Sequence, residues 1–311
     1  MITVDALVTG KPLADVIDAY RTCELATLTR DGSPVAWPTS GLRRDDGTLL
    51  LTTSLGYPQK AFNIRRDGRV ALLFSEPTAS GLDLPEQVLV RGVATCPDEV
   101  HTAPVGDLGR LWALLMERQP HSQGYLNWPA TKMADFYYMR LLIDVEPAEV
   151  VARPLPVAAN TGLADSTLLG AEVLAGYPSV VLIALDAAGA PLLVRTTVSA
   201  TPDGYRVEVP ADVPVVAGPS GLLVHRHDDK LSGLHNANVR GRLVRDGDGW
   251  LLRPVKLVEP GARHRASLLD PIRIGRECQA ATRRYLAHRN LDRPAVPWAA
   301  YRAIRAGLRK P

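Results

Sequence analysis

The chain has 311 residues, 46% of them hydrophobic, and a formal net charge of +3. That length points to two domains, or one domain with a large extension, and the apolar content is ample for packed cores. No stretch reaches the roughly 18 apolar residues of a membrane span, and the start "MITVDALVTGKPLADVIDAY" lacks a basic segment followed by an apolar one, so a cytoplasmic protein is expected.

Cys23, Cys96 and Cys278 are far apart and without C-x-x-C spacing, which argues against a disulfide framework and a zinc site. Thirty arginines stand against six lysines, a bias that fits a GC-rich coding sequence and makes each lysine more informative. Three phenylalanines and no basic run interleaved with aromatics give nucleic-acid binding no support.

In chain order, the segment from Leu13 to Tyr20 has helical periodicity. "ELATLTRDGSPVAWPTSGLRRDDGTLLLTT" then reads as three strands joined by Asp-Gly turns. "RVALLFSEP" and "EQVLVRGVATC" follow as strands, residues 98 to 135 as mostly helical or irregular, and "DFYYMRLLIDVEPAEVV" as strand again. The first half is therefore expected to be an antiparallel barrel of about six strands.

The second half repeats the first. Gly32 matches Gly189 and Gly47 matches Gly204 at an offset of 157, whereas Arg91 matches Arg240 at 149. Eight residues are thus missing from the second copy between its third strand and its Arg-Gly strand, where the first copy holds Lys60 to Arg69. The expected division is 1–155, a barrel carrying the Lys60 to Arg69 segment, which the resemblance below makes a cofactor phosphate clamp; 156–259, a second, degenerate barrel; and 260–311, a helical extension clasping the outside. The fold class expected is mainly β (α+β), two tandem barrels with peripheral helices; the family resemblance described below implies that these are split barrels arranged as a pseudo-dimer.

In "LLLTTSLGYPQKAFNIRRDGRVALLF" a strand ends in Thr52, Thr53 and Ser54, passes a Gly-Pro loop and enters a short helix from about Gln59 to Arg66. Helix N-terminal N–H groups lack intrahelical partners and carry partial positive charge, so hydroxyls at the strand end and the Lys60 ammonium would complete an anion cradle. The competing reading has the hydroxyls merely ending a strand and the arginines in solvent.

"ATLTRDGSPVAWPTSGLRRDDGTLLLTTSLGYPQKAFNIRRDGRVALLF", followed by "VLVRGVA", resembles the flavin-binding split barrel of the pyridoxamine 5'-phosphate oxidase-like superfamily, which includes F420-dependent reductases. The resemblance covers residues 13 to 150 well and 163 to 258 more weakly. It implies a cofactor phosphate at Thr52, Thr53, Ser54 and Lys60, with Asn63 nearby, and a flavin ring along the backbone of Trp37, Pro38, Thr39 and Ser40. Gln59-Lys60 stands where the oxidases carry Arg-Lys, and "VAWPTSGL" lacks the cations of their second strand. Superfamily members form homodimers with the cofactor between two barrels. A tandem chain satisfies that geometry alone, with one cofactor per chain, or pairs further as a homodimer.

His225 and His227, at i and i+2 on one strand face, are expected in inter-domain hydrogen bonds, with a pocket wall or a metal as alternatives. Trp112, Tyr125, Trp128, Tyr137 and Tyr138 are expected as core between the barrels, or else as a cover for the cofactor ring. G-x-S-x-G, H-E-x-x-H, P-loop and G-x-G-x-x-G motifs are missing, so hydrolase and nucleotidase readings lose their usual support. The expected function is an FMN-dependent oxidoreductase acting on a small organic substrate, with F420 as alternative cofactor, or a non-catalytic flavin- or haem-binding sensor or carrier. No catalytic residue and no metal site is assigned.

Overall fold

The computed structural model describes residues 7–8, 11–83, 85–128, 130–259 and 270–308. Two short strands, β1 (Leu7–Val8) and β2 (Lys11–Pro12), precede helix α1 (Leu13–Ala19). The first large sheet comprises β3 (Cys23–Leu28), β4 (Pro34–Thr39), β5 (Gly41–Arg43), β6 (Leu49–Ser54), β7 (Arg69–Phe74), β8 (Glu86–Thr95) and β9 (Arg140–Pro154). The second comprises β10 (Val180–Leu185), β11 (Pro191–Thr196), β12 (Val198–Thr201), β13 (Gly204–Val207), β14 (Gly218–Arg226), β15 (His235–Asp246) and β16 (Gly249–Val258).

The orders are β4-β3-β7-β8-β9-β6-β5 and β11-β10-β14-β15-β16-β13-β12, the same topology element for element, with antiparallel pairing throughout. The sheet has seven strands rather than six because the second strand breaks at Ser40, and its two pieces, β4 and β5, lie at opposite edges of the sheet. Consecutive residues can reach both edges only if the sheet curls until the edges meet, which is how a split barrel closes. Thr197 makes the same break between β11 and β12.

The ladders place the eight missing residues. The offset is 157 between β3 and β10, 156 between β6 and β13, 150 between β7 and β14, and 149 between β8 and β15. Six of the eight are therefore lost across the segment that forms α2 (Gln59–Arg66) in the first copy, which has no helical counterpart in the second. One more is lost in the β12–β13 turn. Arg44 closes on Thr48 around three residues, whereas Thr201 pairs with Gly204 around two, so Gly204 matches Thr48 rather than Gly47. The Arg-Gly pairs mark one β-bulge in each copy, at Arg91/Gly92 and Arg240/Gly241. A Cβ on Gly92 would lie 2.0 Å from the Glu146 carbonyl oxygen, and one on Gly241 2.1 Å from that of Arg253, so only glycine fits either bulge.

Each barrel has a core of its own. Leu25, Leu51, Leu72 and Ile143 are among the side chains that fill the first, and Leu182, Leu193, Leu222 and Leu252 the second. Burying each such side chain is worth roughly 1.5–3 kcal/mol. Ala26, Ala36, Ala71 and Leu73 of the first sheet join the second core, so the barrels share an apolar seam. β4 packs on β14 and β10, while β11 packs on β7 and β3. These pairs exchange under the repeat, so the seam has the form of an isologous dimer interface.

Between β8 and β9 lie α3 (Gly106–Arg118), a 3₁₀ segment (Pro120–Leu126), and the turns α4 (Ala130–Met133) and α5 (Asp135–Tyr138). The strand expected from Asp135 thus begins only at Arg140. A further turn, α6 (Ala171–Leu174), occupies the place of α1 in the second copy. The C-terminal part forms α7 (Asp270–His288) and α8 (Trp298–Gly307); the portion of the extension over 260–269 lies outside the described residues. Trp112 stacks on Tyr138 at 4.9 Å, with Tyr301 and Trp298 of α8 edge-on to this pair. These aromatics are core, but between the insert and the C-terminal helix rather than between the barrels; Trp128 is 77% exposed. Tyr285 of α7 stacks on Phe62 of α2 at 5.9 Å, so the C-terminal helix braces a helix that has no counterpart in the second barrel. Among the described residues, no helix is long and apolar enough to cross a membrane.

Candidate functional site

Six buried residues, Leu49–Ser54, form β6, and its last position, Ser54, lies opposite Arg140 in the ladder with β9. Beyond the strand the Thr53 hydroxyl donates to the Tyr57 carbonyl at 2.7 Å, and the Ser54 hydroxyl accepts from the Gly56 N–H at 3.1 Å. Those two hydroxyls set the turn into α2. Pro58 precedes the first helical residue and no side chain caps the end, leaving the first N–H groups of α2 without a side-chain acceptor. The Thr52 hydroxyl makes no hydrogen bond among the described residues, and Thr52 lines a cavity of about 310 Å³ between the two barrels.

Two cations stand at this end. Lys60, partly exposed in the first turn of α2, has no hydrogen bond or ion pair among the described residues. Its pKa is lowered to about 8, chiefly by desolvation, with the Cys23 thiol opposing the shift and the Arg140 charge adding to it. Arg140 is 7% exposed, lines the cavity, and has a buried Nε without a partner. Its guanidinium lies 4.3 Å from the Tyr137 ring centroid and 4.8 Å from that of Trp112, and it has no carboxylate partner among the described residues. Buried charges are ordinarily paired; Arg140 shares the cavity wall with the free Thr52 hydroxyl, whereas Lys60 does not line the cavity.

The other expected residues divide. Pro38, Thr39 and Ser40 line the cavity at the β4–β5 break, whereas Trp37 pairs with Leu25 in the β3–β4 ladder and does not line it. Asn63 is turned into the barrel, donating to Thr27 Oγ1 at 2.9 Å and accepting from Gln59 and Arg66. Arg65 is not a solvent residue: it donates to the Cys96 and Pro97 carbonyls and to the Tyr285 hydroxyl, tying α2 to β8 and α7. Arg140 was not foreseen, because its place depends on the β6–β9 register across the long insert.

The opposite wall comes from the second barrel and carries His225, Arg226, His227, His235 and Asn236. His225 Nε2 lies 2.6 Å from Glu24 Oε1, and His227 Nε2 lies 3.2 Å from Thr22 Oγ1, so both bridge the barrels and both face the cavity. Glu24 is fully buried and also accepts from Ser75 at 2.9 Å and Arg195 at 3.1 Å. Burial works against its charge, but the hydrogen bond and charge of His225 and the Arg195 guanidinium outweigh that and hold the carboxyl below its ordinary range.

Under the repeat, Arg195 occupies the position of Pro38, Ser179 that of Thr22, and Ser75 that of His225. Arg195 donates to both Ser75 and Ser179 and pairs with Glu24 and, at 3.6 Å, Glu76. The pseudo-symmetric counterpart of the cavity is thus filled by an arginine and its partners.

Residues 10–118 match the family model described as pyridoxamine 5'-phosphate oxidase. Among solved structures, an F420 reductase is 24% identical, over 44% of this chain and 93% of that one, with a TM-score of 0.31. An FAD-binding protein from Mesorhizobium loti is 20% identical, over 45% and 88%, at 0.30. The haem storage protein HutZ from Vibrio cholerae is 13% identical, over 45% and 90%, at 0.31. No curated protein matches the chain. The matched segment builds β3 to β8 and the edge-to-edge closure of the first sheet, and over that part the chain is similar to the pyridoxamine 5'-phosphate oxidase family.

Proposed function

We propose that this protein binds one FMN per chain in the cavity between its barrels and serves as an oxidoreductase for a small organic substrate. The observation that carries this reading is Arg140, a buried guanidinium with no carboxylate partner among the described residues, beside the free Thr52 hydroxyl on the cavity wall, with Lys60 behind that wall and near enough to Arg140 for its charge to be felt. The donor set fits a phosphate: two cationic groups, a hydroxyl and the uncapped start of α2. Bound flavin supplies hydride or single-electron chemistry, so the protein needs to provide mainly binding, orientation and exclusion of water.

In this reading the first barrel, within 1–155, holds the phosphate. The β4–β5 break at Pro38 to Ser40 faces the ring, and the second barrel, within 156–259, supplies the far wall in place of a partner subunit. Arg195 and its partners fill the counterpart cavity, which supports one cofactor rather than two. F420 offers the same kind of phosphate handle and is the alternative cofactor. A haem carrier would have one free histidine nitrogen on this wall, that of His225, since both ring nitrogens of His227 and of His235 are engaged.

The absorption spectrum of the purified protein, followed by reconstitution with FMN, tests the reading. A bound oxidised-flavin spectrum that is lost in Lys60→Ala is expected. An F420 spectrum would favour the alternative, and a haem Soret band would overturn both.

A further inference from the structure

The cavity has a second cationic end that the phosphate site leaves unused. Among the described residues lining it are two arginines, three histidines and no aspartate or glutamate. Two carboxylates bonded to lining histidines, Glu24 to His225 and Glu259 to His235 at 2.7 Å, do not line the cavity themselves. Arg226, at the end of β14, is exposed and has no carboxylate partner among the described residues.

The wall around Arg226 is arranged in advance. Its guanidinium lies 5.6 Å from the Tyr177 ring centroid, and Tyr177 stacks on His235 at 5.9 Å with its hydroxyl bonded to His235 Nδ1. This stack holds the arginine head without neutralising it. Asn236 and His225 pair across the β14–β15 ladder and, by strand alternation, project from the other face of the sheet, whereas His235 is the residue opposite Arg226.

We propose that this second-barrel end, centred on Arg226 and the Tyr177–His235 stack that holds it, binds the carboxylate or phosphate group of a small anionic substrate. The proposal rests on the cofactor reading for its claim that the bound molecule is a substrate; the anion site itself stands on the cavity alone. A planar guanidinium suits either oxyanion. A cavity free of lining carboxylates imposes no like-charge repulsion on an anion and gives a cationic ligand no partner.

The test uses benzoate, phenyl phosphate and neutral benzamide as probes, titrated into apoprotein and FMN-loaded protein by calorimetry. Benzoate and phenyl phosphate should bind more tightly than benzamide. Arg226→Gln should weaken the two anions by about three- to tenfold, the loss expected for one partly screened charge-assisted hydrogen bond. Benzamide affinity should not change, and Arg226→Lys should restore part of the loss.

Equal binding of benzoate and benzamide would overturn the proposal. So would an anion affinity that survives Arg226→Gln but is lost in Lys60→Ala, since the anion would then sit at the other end. If FMN fails to bind while the Arg226-dependent preference persists in apoprotein, the cofactor reading fails and the anion site stands.

Discussion

Ser54 lies directly opposite Arg140 across the β6–β9 ladder, so the end of the hydroxyl-bearing strand and a buried guanidinium share one register position. Neither depends on loop flexibility, because both backbones are fixed in one sheet. Lys60, displayed from α2 just beyond that strand, stands close enough to Arg140 for the guanidinium to disfavour its ammonium.

An anion between the two would relieve that repulsion. Lys60→Ala and Arg140→Leu should each weaken FMN by about tenfold to a hundredfold, the range for loss of one charge-assisted contact to phosphate. Quenching of free-flavin fluorescence on titration with protein reads this directly. Riboflavin, which lacks the phosphate, should bind wild type and Lys60→Ala alike.

The pH dependence has a fixed sign. Folding lowers the Lys60 pKa from 10.5 to about 8, so between those values the unfolded chain binds more protons than the folded one, and apoprotein stability from this group rises with pH. It is correspondingly lower at pH below about 8, where the ammonium is charged in both states. FMN affinity should run the other way, falling as pH rises through about 8. Denaturant titrations and flavin binding across that window should show both trends in wild type and neither in Lys60→Met.

The inter-barrel cluster predicts a stability effect distinct from binding. Arg195→Ala leaves Glu24 buried with less compensation and should destabilise the fold by about 3–5 kcal/mol in urea unfolding. Glu24→Gln, which removes the buried charge, should cost less. Because folding lowers the Glu24 pKa, its contribution is fully present above the ordinary value of 4.5 and is lost as pH falls through the lower native value. An acid-unfolding profile unchanged in Glu24→Gln would contradict this assignment.

The tandem plan was readable because its markers have backbone causes. Gly32 and Gly189 both take positive φ in equivalent turns, and the two Arg-Gly bulges admit only glycine. Gly47 and Gly204 misled by one residue, since an Asp-Gly pair does not reveal whether a hairpin closes around three residues or two. Lys60 stood out because the helix carrying it occurs once. Asn63, in the same motif, turned inward to bond Thr27, a choice set by helix phase rather than by composition. Arg140 was invisible to local reading: its role depends on pairing with Ser54, 86 positions earlier. Of the insert aromatics expected as core between the barrels, Trp112 and Tyr138 are core against the C-terminal helix instead and Tyr125 and Trp128 are exposed; their partner Tyr301 lies far along the chain, and periodicity does not say which surface an aromatic will meet.

The central claim is a single flavin phosphate held at Lys60 and Arg140 between two unequal halves. The most direct test is the stoichiometry of FMN bound to full-length protein, measured together with Lys60→Ala. The account predicts one FMN per chain, displaced by Lys60→Ala and untouched by Arg195→Lys in the filled counterpart cavity. Two FMN per chain, or one that persists at full affinity in Lys60→Ala, would contradict it.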